Sequence, residues 1–152
     1  MRANSAPKLY FPSLAHFYDS VSDLWYPMIR ITAGGLLFVH GWVKLGVGIG
    51  GITAFMARSG YQPAAAIAAL VIFLETVGAI CIVIGLLTRV FAAAIALELA
   101  FITFVHVLPK GFMFSNPGGG YEYPLLWGIV FFAIALRGGG PYSVDRMIGK
   151  EV

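Results

Sequence analysis

The stretch from Arg30 to Lys44, RITAGGLLFVHGWVK, constrains the fold more than any other part of the sequence. It is apolar enough to enter a bilayer, yet it contains Arg30, His40 and Lys44. A cation near the bilayer centre costs between about 3 and about 10 kcal/mol, so such residues usually face a partner or a watery cavity. His40 and Lys44 are four residues apart and therefore share one side of a helix. The remaining helices are expected to supply anions for these cations.

The composition agrees with a chain that lies mostly in the membrane. The 152 residues are 59% hydrophobic and 11% charged, and the mean hydropathy is +0.85. A soluble domain is about half apolar and about a quarter charged, so an all-α membrane protein is predicted. The net charge of +3 is too small and too scattered to indicate nucleic-acid binding. Cys81 is the only cysteine, which excludes an intramolecular disulfide and a CxxC redox pair.

The apolar runs predict a bundle of four transmembrane helices, because about 20 helical residues cross a hydrocarbon core about 30 Å thick. The predicted spans cover about 26–47, 63–87, 89–108 and 122–136, within a membrane domain of residues 26–137. Residues 1–25 are predicted to form a cytoplasmic tail and an interfacial amphipathic helix, since Leu14, Phe17 and Val21 recur at helical spacing. Residues 138–152 are predicted to form a cytoplasmic C-terminal tail.

The distribution of basic residues predicts the orientation. Four spans place both termini on one side, together with Arg2, Lys8, Arg89, Arg137, Arg146 and Lys150. The opposite side has Arg58 and Lys110. Because cytoplasmic segments carry an excess of Lys and Arg, both termini are predicted to be cytoplasmic.

Several ionisable residues lie within the predicted spans or at the mouth of the fourth. The candidate polar pocket consists of His40, Lys44, Glu75, Glu98, His106 and Glu122. Glu98 and His106 are eight residues apart, about two helical turns, so they share one side of their helix. The outer half of the bundle is expected to contain both histidines, Lys44 and Glu122, with Glu75 and Glu98 beneath them.

Two interpretations of this set remain open. In the first, Lys44 or Arg30 pairs with one of the glutamates solely to hold helices together. In the second, the residues form a functional site, and this interpretation is favoured because buried ion pairs add little net stability over apolar packing. A haem held by both histidines is disfavoured, because both rings would have to face one cavity. No metal site is predicted, since the compact ligand spacing of local metal motifs is absent.

An ordered set of short motifs resembles the DoxX family. The motifs are HGxxK at 40–44, ExxG at 75–78, GxxTR at 85–89, His106, GGxEYP at 119–124 and GPYSVD at 140–145. The similarity extends over about residues 27–147. It implies a small four-helix protein of the bacterial inner membrane. Some relatives belong to thiosulfate:quinone oxidoreductases and others associate with redox-stress or thiol-handling complexes, so the resemblance implies a redox context.

The first functional hypothesis is a redox-associated membrane subunit whose pocket holds a quinone head group. A quinone needs apolar walls, donors at its carbonyl groups and a proton source on reduction. In this hypothesis His40 and Lys44 donate to the carbonyl groups, His106 and Glu98 relay protons, and Glu75 orients Lys44. The candidates for any catalytic role are His40, Lys44, Glu98 and His106.

Two alternatives belong to other functional classes. One is a non-catalytic scaffold or accessory subunit that docks on a larger membrane complex, which suits the small size and the glycine-rich first span. The other is proton-coupled transport of a small molecule. Transport is disfavoured because the four predicted spans lack paired discontinuous helices. In each case the expected partners are the lipid bilayer and other membrane subunits.

Overall fold

The computed structural model describes residues 9–152, and every regular element in that range is a helix, which confirms the all-α class. The α-helices are α1 (Ala15–Val21), α2 (Trp25–Val47), α3 (Ile49–Arg58), α4 (Ala64–Phe73), α5 (Ala79–Ile84), α6 (Thr88–Phe101), α7 (Glu122–Arg137) and α8 (Val144–Ile148). A π-helical turn, Leu74–Gly78, joins α4 to α5 without a break. A second π-helical segment, Ile102–Val107, and a 3-10 turn, Leu108–Lys110, extend α6.

Two segments of the described chain are each long and apolar enough to cross a membrane. They are Ala64–Ile84, with 21 residues, and Thr88–Lys110, with 23. Helices α2 and α3 meet the same standard only as a pair, and they are bent by 97° at the break between them. By length and composition, residues 9–152 therefore contain two membrane helices, or three if the bent pair is one span.

The difference from the predicted four spans has two physical reasons. Helix α2 carries Arg30, His40 and Lys44, which lower its mean hydropathy. Helix α7 has 16 residues, which extend about 24 Å, less than the thickness of a hydrocarbon core. Helix α1 lies where the N-terminal amphipathic helix is predicted, and residues 1–8 of that prediction are outside the described range.

Glycines allow α2 to run closely antiparallel to the α4–α5 segment. A Cβ atom at Gly34 would lie 2.9 Å from the carbonyl oxygen of Ala79, and a Cβ atom at Gly41 would collide with the carbonyl oxygen of Glu75. Small residues at such contacts are the usual means by which membrane helices approach each other. Helix α6 packs mainly against α7, and the core between these helices includes Ile95 and Phe131. The close approach at Gly41 brings the end of α2 next to Glu75.

The predicted C-terminal tail packs against one end of the bundle, which we term the basal end. Ser143 and Asp145 are buried there. The carboxylate of Asp145 accepts hydrogen bonds from the N–H of Leu87 (2.7 Å), the N–H of Thr88 (2.9 Å) and the hydroxyl of Thr88 (2.7 Å). The first N–H groups of a helix have no partner within the helix, and a negative charge there complements the helix dipole. Asp145 therefore caps α6.

Two arginines bind carbonyl groups at the C-terminal ends of helices, also at the basal end. Arg30 is 1% exposed and donates to the carbonyl oxygens of Ile82 (2.8 Å), Val83 (3.0 Å) and Tyr142 (2.9 Å). Arg89 donates to the last carbonyl groups of α7. Cations at helix C-termini satisfy free carbonyl groups and complement the dipole. Arg30 thus serves to join helix ends, and it does not pair with Glu75 or Glu98.

Candidate functional site

The centre of the candidate site is an ion pair between Lys44 and Glu75. Lys44 lies in the last turn of α2, and Glu75 lies in the π-helical turn between α4 and α5. The side chain of Lys44 is 27% exposed, whereas that of Glu75 is 4% exposed. The close contact at Gly41, three residues before Lys44, fixes the separation of the two backbones. Of the pairings that the sequence left open, the structure contains this one.

Glu98 lies beside this ion pair. Glu75 and Lys44 are the charged groups near enough to Glu98 to act on it electrostatically. Both of its carboxylate oxygens are buried and have no hydrogen-bond partner within residues 9–152. A buried polar atom without a partner loses its hydration without compensation. Such an atom in a native protein calls for an explanation, for example a catalytic role or an unseen ligand.

Both π-helical segments contain a residue of the predicted set. Glu75 lies in Leu74–Gly78, and His106 lies in Ile102–Val107. Within α-helices, π-helical turns are rare and occur frequently at functional sites. Each turn adds a residue to the helix and thereby changes which side chains face the interior. Nothing in the spacing of apolar residues indicates these π-helical turns, so they were not predicted from the sequence.

His40 lies on the open side of the same region. It is exposed, and it has no hydrogen-bond partner within the described part of the chain. Because it precedes Lys44 by one helical turn, the two side chains project to the same side of α2. The exposure of these side chains falls from His40 through Lys44 to Glu75. The three residues therefore run from an exposed to a buried position.

His106 belongs to a separate aromatic group at the end of the bundle opposite the basal end, which we term the distal end. Its Nδ1 lies 3.0 Å from the hydroxyl of Tyr61, and its ring packs edge-on against Phe55 at 6.1 Å between centroids. Tyr61 also contacts Phe101. Tyr61 is not among the residues predicted from the sequence, because it lies in the loop before α4, where no helical periodicity links it to α6.

Glu122, the first residue of α7, forms a third group with the loop before that helix. Its carboxylate accepts a hydrogen bond from the N–H of Phe114 at 3.2 Å, at an exposed position. The ring of Tyr123, the next residue, packs against that of Phe114, with the centroids 4.6 Å apart and the planes tilted by 51°. The structure thus brings together Lys44, Glu75 and Glu98. His40, His106 and Glu122 lie outside this cluster. We term Lys44, Glu75 and Glu98 the inner site.

Comparison with known proteins identifies the family. The sequence model of the DoxX family matches residues 27–107, just over half of the chain. The chain belongs to the DoxX family. The matched region runs from the start of α2 to the end of the second π-helical segment, so it includes the whole inner site with His40 and His106. Glu122 and helix α7 lie beyond it.

One relative matches over a stretch of similar length, and its name states no activity. Over 79 residues the chain is 33% identical to an "Uncharacterized protein" of Haemophilus influenzae. The alignment covers 51% of this chain and 59% of the relative, so the chain spans about three fifths of that protein's length. No solved structure matches the chain. Membership of a membrane protein family is therefore established, and contact with the lipid bilayer follows from it.

Proposed function

We propose that this DoxX protein is a redox-associated subunit of the bacterial inner membrane whose inner site binds a quinone head group. The observation that carries the proposal is the carboxylate of Glu98, which is buried beside the Lys44–Glu75 ion pair and has no hydrogen-bond partner in residues 9–152. A hydroquinone hydroxyl is a donor that suits this carboxylate. A quinone carbonyl group in turn accepts from the ammonium of Lys44.

The roles follow from the chemistry of quinone reduction, which consumes two electrons and two protons. In this proposal Lys44 holds one carbonyl oxygen and Glu75 keeps the ammonium in place. Glu98 accepts or delivers a proton at the second oxygen. The electrons come from a partner subunit that carries a redox group. This chain thus supplies the quinone site and the proton-handling groups of a larger assembly.

Access from the membrane supports the same assignment. A quinone is apolar and reaches its site from the bilayer, so the site needs an opening between helices. The exposed His40 and the partly exposed Lys44 lie on one side of α2, with Glu75 buried behind them. His40 is placed at the entrance in this proposal, where it meets the head group before Lys44 does. His106 is assigned to the distal aromatic group and not to the carbonyl contacts.

The proposed topology has four spans with α7 as a short fourth span and α1 on the membrane surface. The hydrogen bonds at the basal end support it, because the start of α2, the end of α5, the start of α6 and the end of α7 all meet there. Adjacent long helices are therefore antiparallel. Basic residues gather at this end, namely Arg89, Arg137, Arg146 and Lys150, which supports a cytoplasmic location for both termini.

The test is quinone binding by the full chain in nanodiscs. Quenching of tryptophan fluorescence by a short-chain ubiquinone reports the dissociation constant. Glu98→Gln keeps the size of the side chain, and it breaks no hydrogen bond within residues 9–152 because Glu98 makes none there. We expect it to weaken binding about tenfold, the effect of losing one hydrogen bond. Lys110→Gln, at the distal end, is the matched control and is expected to bind as the unchanged protein does.

Two outcomes would contradict the proposal. One is an affinity for quinone that is the same in Glu98→Gln and in the unchanged protein. The other is an equal loss of affinity in Lys110→Gln, which would indicate an effect that is not specific to the inner site. Circular dichroism of each variant verifies that the helices are retained.

An accessory role as a docking subunit is the second candidate, and His40 supports it. An exposed histidine on a membrane helix is costly in lipid unless it meets water or a partner. In this alternative the exposed side of α2 is covered by a helix of another subunit, and His40 donates to that helix. Photo-crosslinking from position 40 in native membranes distinguishes the two candidates. A single protein product supports docking, whereas crosslinking to lipid or quinone alone contradicts it.

A further inference from the structure

An apolar groove lies between α2 and α7 at the basal end. It encloses about 200 Å³ and is lined by Trp25, Tyr26, Ile29, Val130, Ala133, Ile134 and Arg137. The guanidinium of Arg137 lies 5.1 Å from the centre of the Trp25 ring and 4.7 Å from that of the Tyr26 ring. Cations stacked on aromatic rings in this way are held in place by the electrostatic attraction of the ring face. The groove is thus apolar along its length and cationic at one end.

A polar recess of about 640 Å³ adjoins the groove and shares Arg137 with it. Three cations line the recess, namely Arg137, Arg146 and Lys150. None of them forms an ion pair within residues 9–152, where the pairs are Lys44–Glu75 and Arg89–Glu151. The recess therefore contains several cationic donors without an acceptor.

The acidic residues of the recess compensate this positive charge only in part. Asp145 is committed to capping α6. Glu151 pairs with Arg89 and accepts from the N–H of Gly139. Within residues 9–152 Asp23 and Asp145 form no ion pair, so the recess has three unpaired cations and two unpaired anions, and the carboxylate of Asp145 is directed at the start of α6. Its charge favours an anionic ligand.

We propose that the groove and the recess together form a binding site for an anionic phospholipid. An acyl chain lies in the groove between α2 and α7, and the phosphate receives hydrogen bonds from Arg137. Arg146 and Lys150 contact the remaining headgroup oxygens. A free phosphate would use the recess alone, whereas the apolar groove that shares Arg137 fits only a ligand with a hydrocarbon chain. Basic pockets between membrane helices commonly bind such headgroups. Trp25 and Tyr26 place the site at the level of the membrane–water interface.

The test compares two lipids with the same acyl chains, one with an anionic and one with a zwitterionic headgroup. The delipidated full chain is mixed with phosphatidylglycerol and phosphatidylcholine of identical acyl chains, and bound lipid is counted by native mass spectrometry. We expect the unchanged protein to prefer phosphatidylglycerol, and Arg137→Gln to reduce that preference about fivefold, the effect of one basic residue at a lipid headgroup. Arg58→Gln removes an exposed arginine outside the site and is expected to keep the preference.

A second variant tests the groove. Ala133→Trp fills the groove without altering a charge, and we expect it to reduce binding of phosphatidylglycerol as Arg137→Gln does. The proposal is overturned if the unchanged protein binds both lipids equally, or if Arg137→Gln and Arg58→Gln have equal effects. It is also overturned if inorganic phosphate displaces the lipid at matched concentration, or if Ala133→Trp leaves lipid binding unchanged, because the recess alone would then be the site.

Discussion

The cap that Asp145 forms on α6 allows a quantitative prediction for Asp145→Ala. The substitution removes the acceptor from the N–H groups of Leu87 and Thr88 and from the hydroxyl of Thr88. A buried donor left without a partner costs about 1–3 kcal/mol. Thr88 is fully buried, so both of its donors bear this cost, whereas Leu87 is 45% exposed and its amide can reach water. We therefore expect the free energy of unfolding to fall by about 3–4 kcal/mol.

Companion variants divide this loss among the three hydrogen bonds. Thr88→Val removes only the hydroxyl and is expected to cost about 1–2 kcal/mol. Asp145→Asn keeps the shape but turns an amide donor towards a backbone donor, so its loss is expected to lie between those of the other two variants. Because the two side chains are in contact, the double variant of Asp145→Ala and Thr88→Val is expected to cost less than the sum of the single variants by about 1 kcal/mol.

Unfolding by sodium dodecyl sulfate in mixed micelles, followed by tryptophan fluorescence, measures these differences. Asp23→Ala is the control, because Asp23 is exposed and makes no hydrogen bond within the described residues. It is expected to change the free energy of unfolding by less than about 0.5 kcal/mol. A loss below about 1 kcal/mol for Asp145→Ala would refute the assignment of Asp145 as the cap of α6.

Two further predictions concern α2 and the inner site. Gly41→Ala is expected to destabilise the protein by about 1–3 kcal/mol, because its methyl group meets the backbone of Glu75. The control is Gly35→Ala, whose methyl group has open space, and it is expected to be neutral or slightly stabilising in the same assay. Lys44→Met is expected to lower the free energy of unfolding by about 3–5 kcal/mol, because it leaves Glu75 buried and unpaired. Adding Glu75→Leu is expected to restore most of that stability. A double variant as unstable as Lys44→Met would contradict this account.

The sequence was sufficient to find the residues of the inner site but not to choose their partners. Lys44, Glu75 and Glu98 stand out because charged residues within apolar runs are costly and therefore rarely placed without a partner. Their pairing depends on how far each helix is rotated about its axis. That rotation is set at Gly41, where the backbones of α2 and the π-helical turn touch. Helical periodicity describes one helix at a time and has no information on this contact.

The expected gathering of both histidines with Glu122 shows the same limit. The depth of His40 and of His106 along their helices is similar, and depth was the basis of the prediction. Depth does not determine direction: His40 faces outward, and the π-helical segment turns His106 towards Tyr61. Arg30 was also recognised as a buried cation, yet its partners are backbone carbonyl groups, which every sequence contains and no pattern distinguishes.

The packing of residues 138–152 against the basal end has a consequence for how the chain matures. Before residues 138–152 have left the ribosome, the long helices that precede them can already enter the membrane, but the cap of α6 and one of the carbonyl partners of Arg30 are not yet in place. The helices then pack with unpaired donors at their ends. These donors gain their acceptor only after Asp145 has left the ribosome and folded back onto the start of α6. Assembly of the basal end therefore depends on the emergence of residues 138–152, and a ribosome stalled before that segment holds a bundle that quality-control proteases can still open.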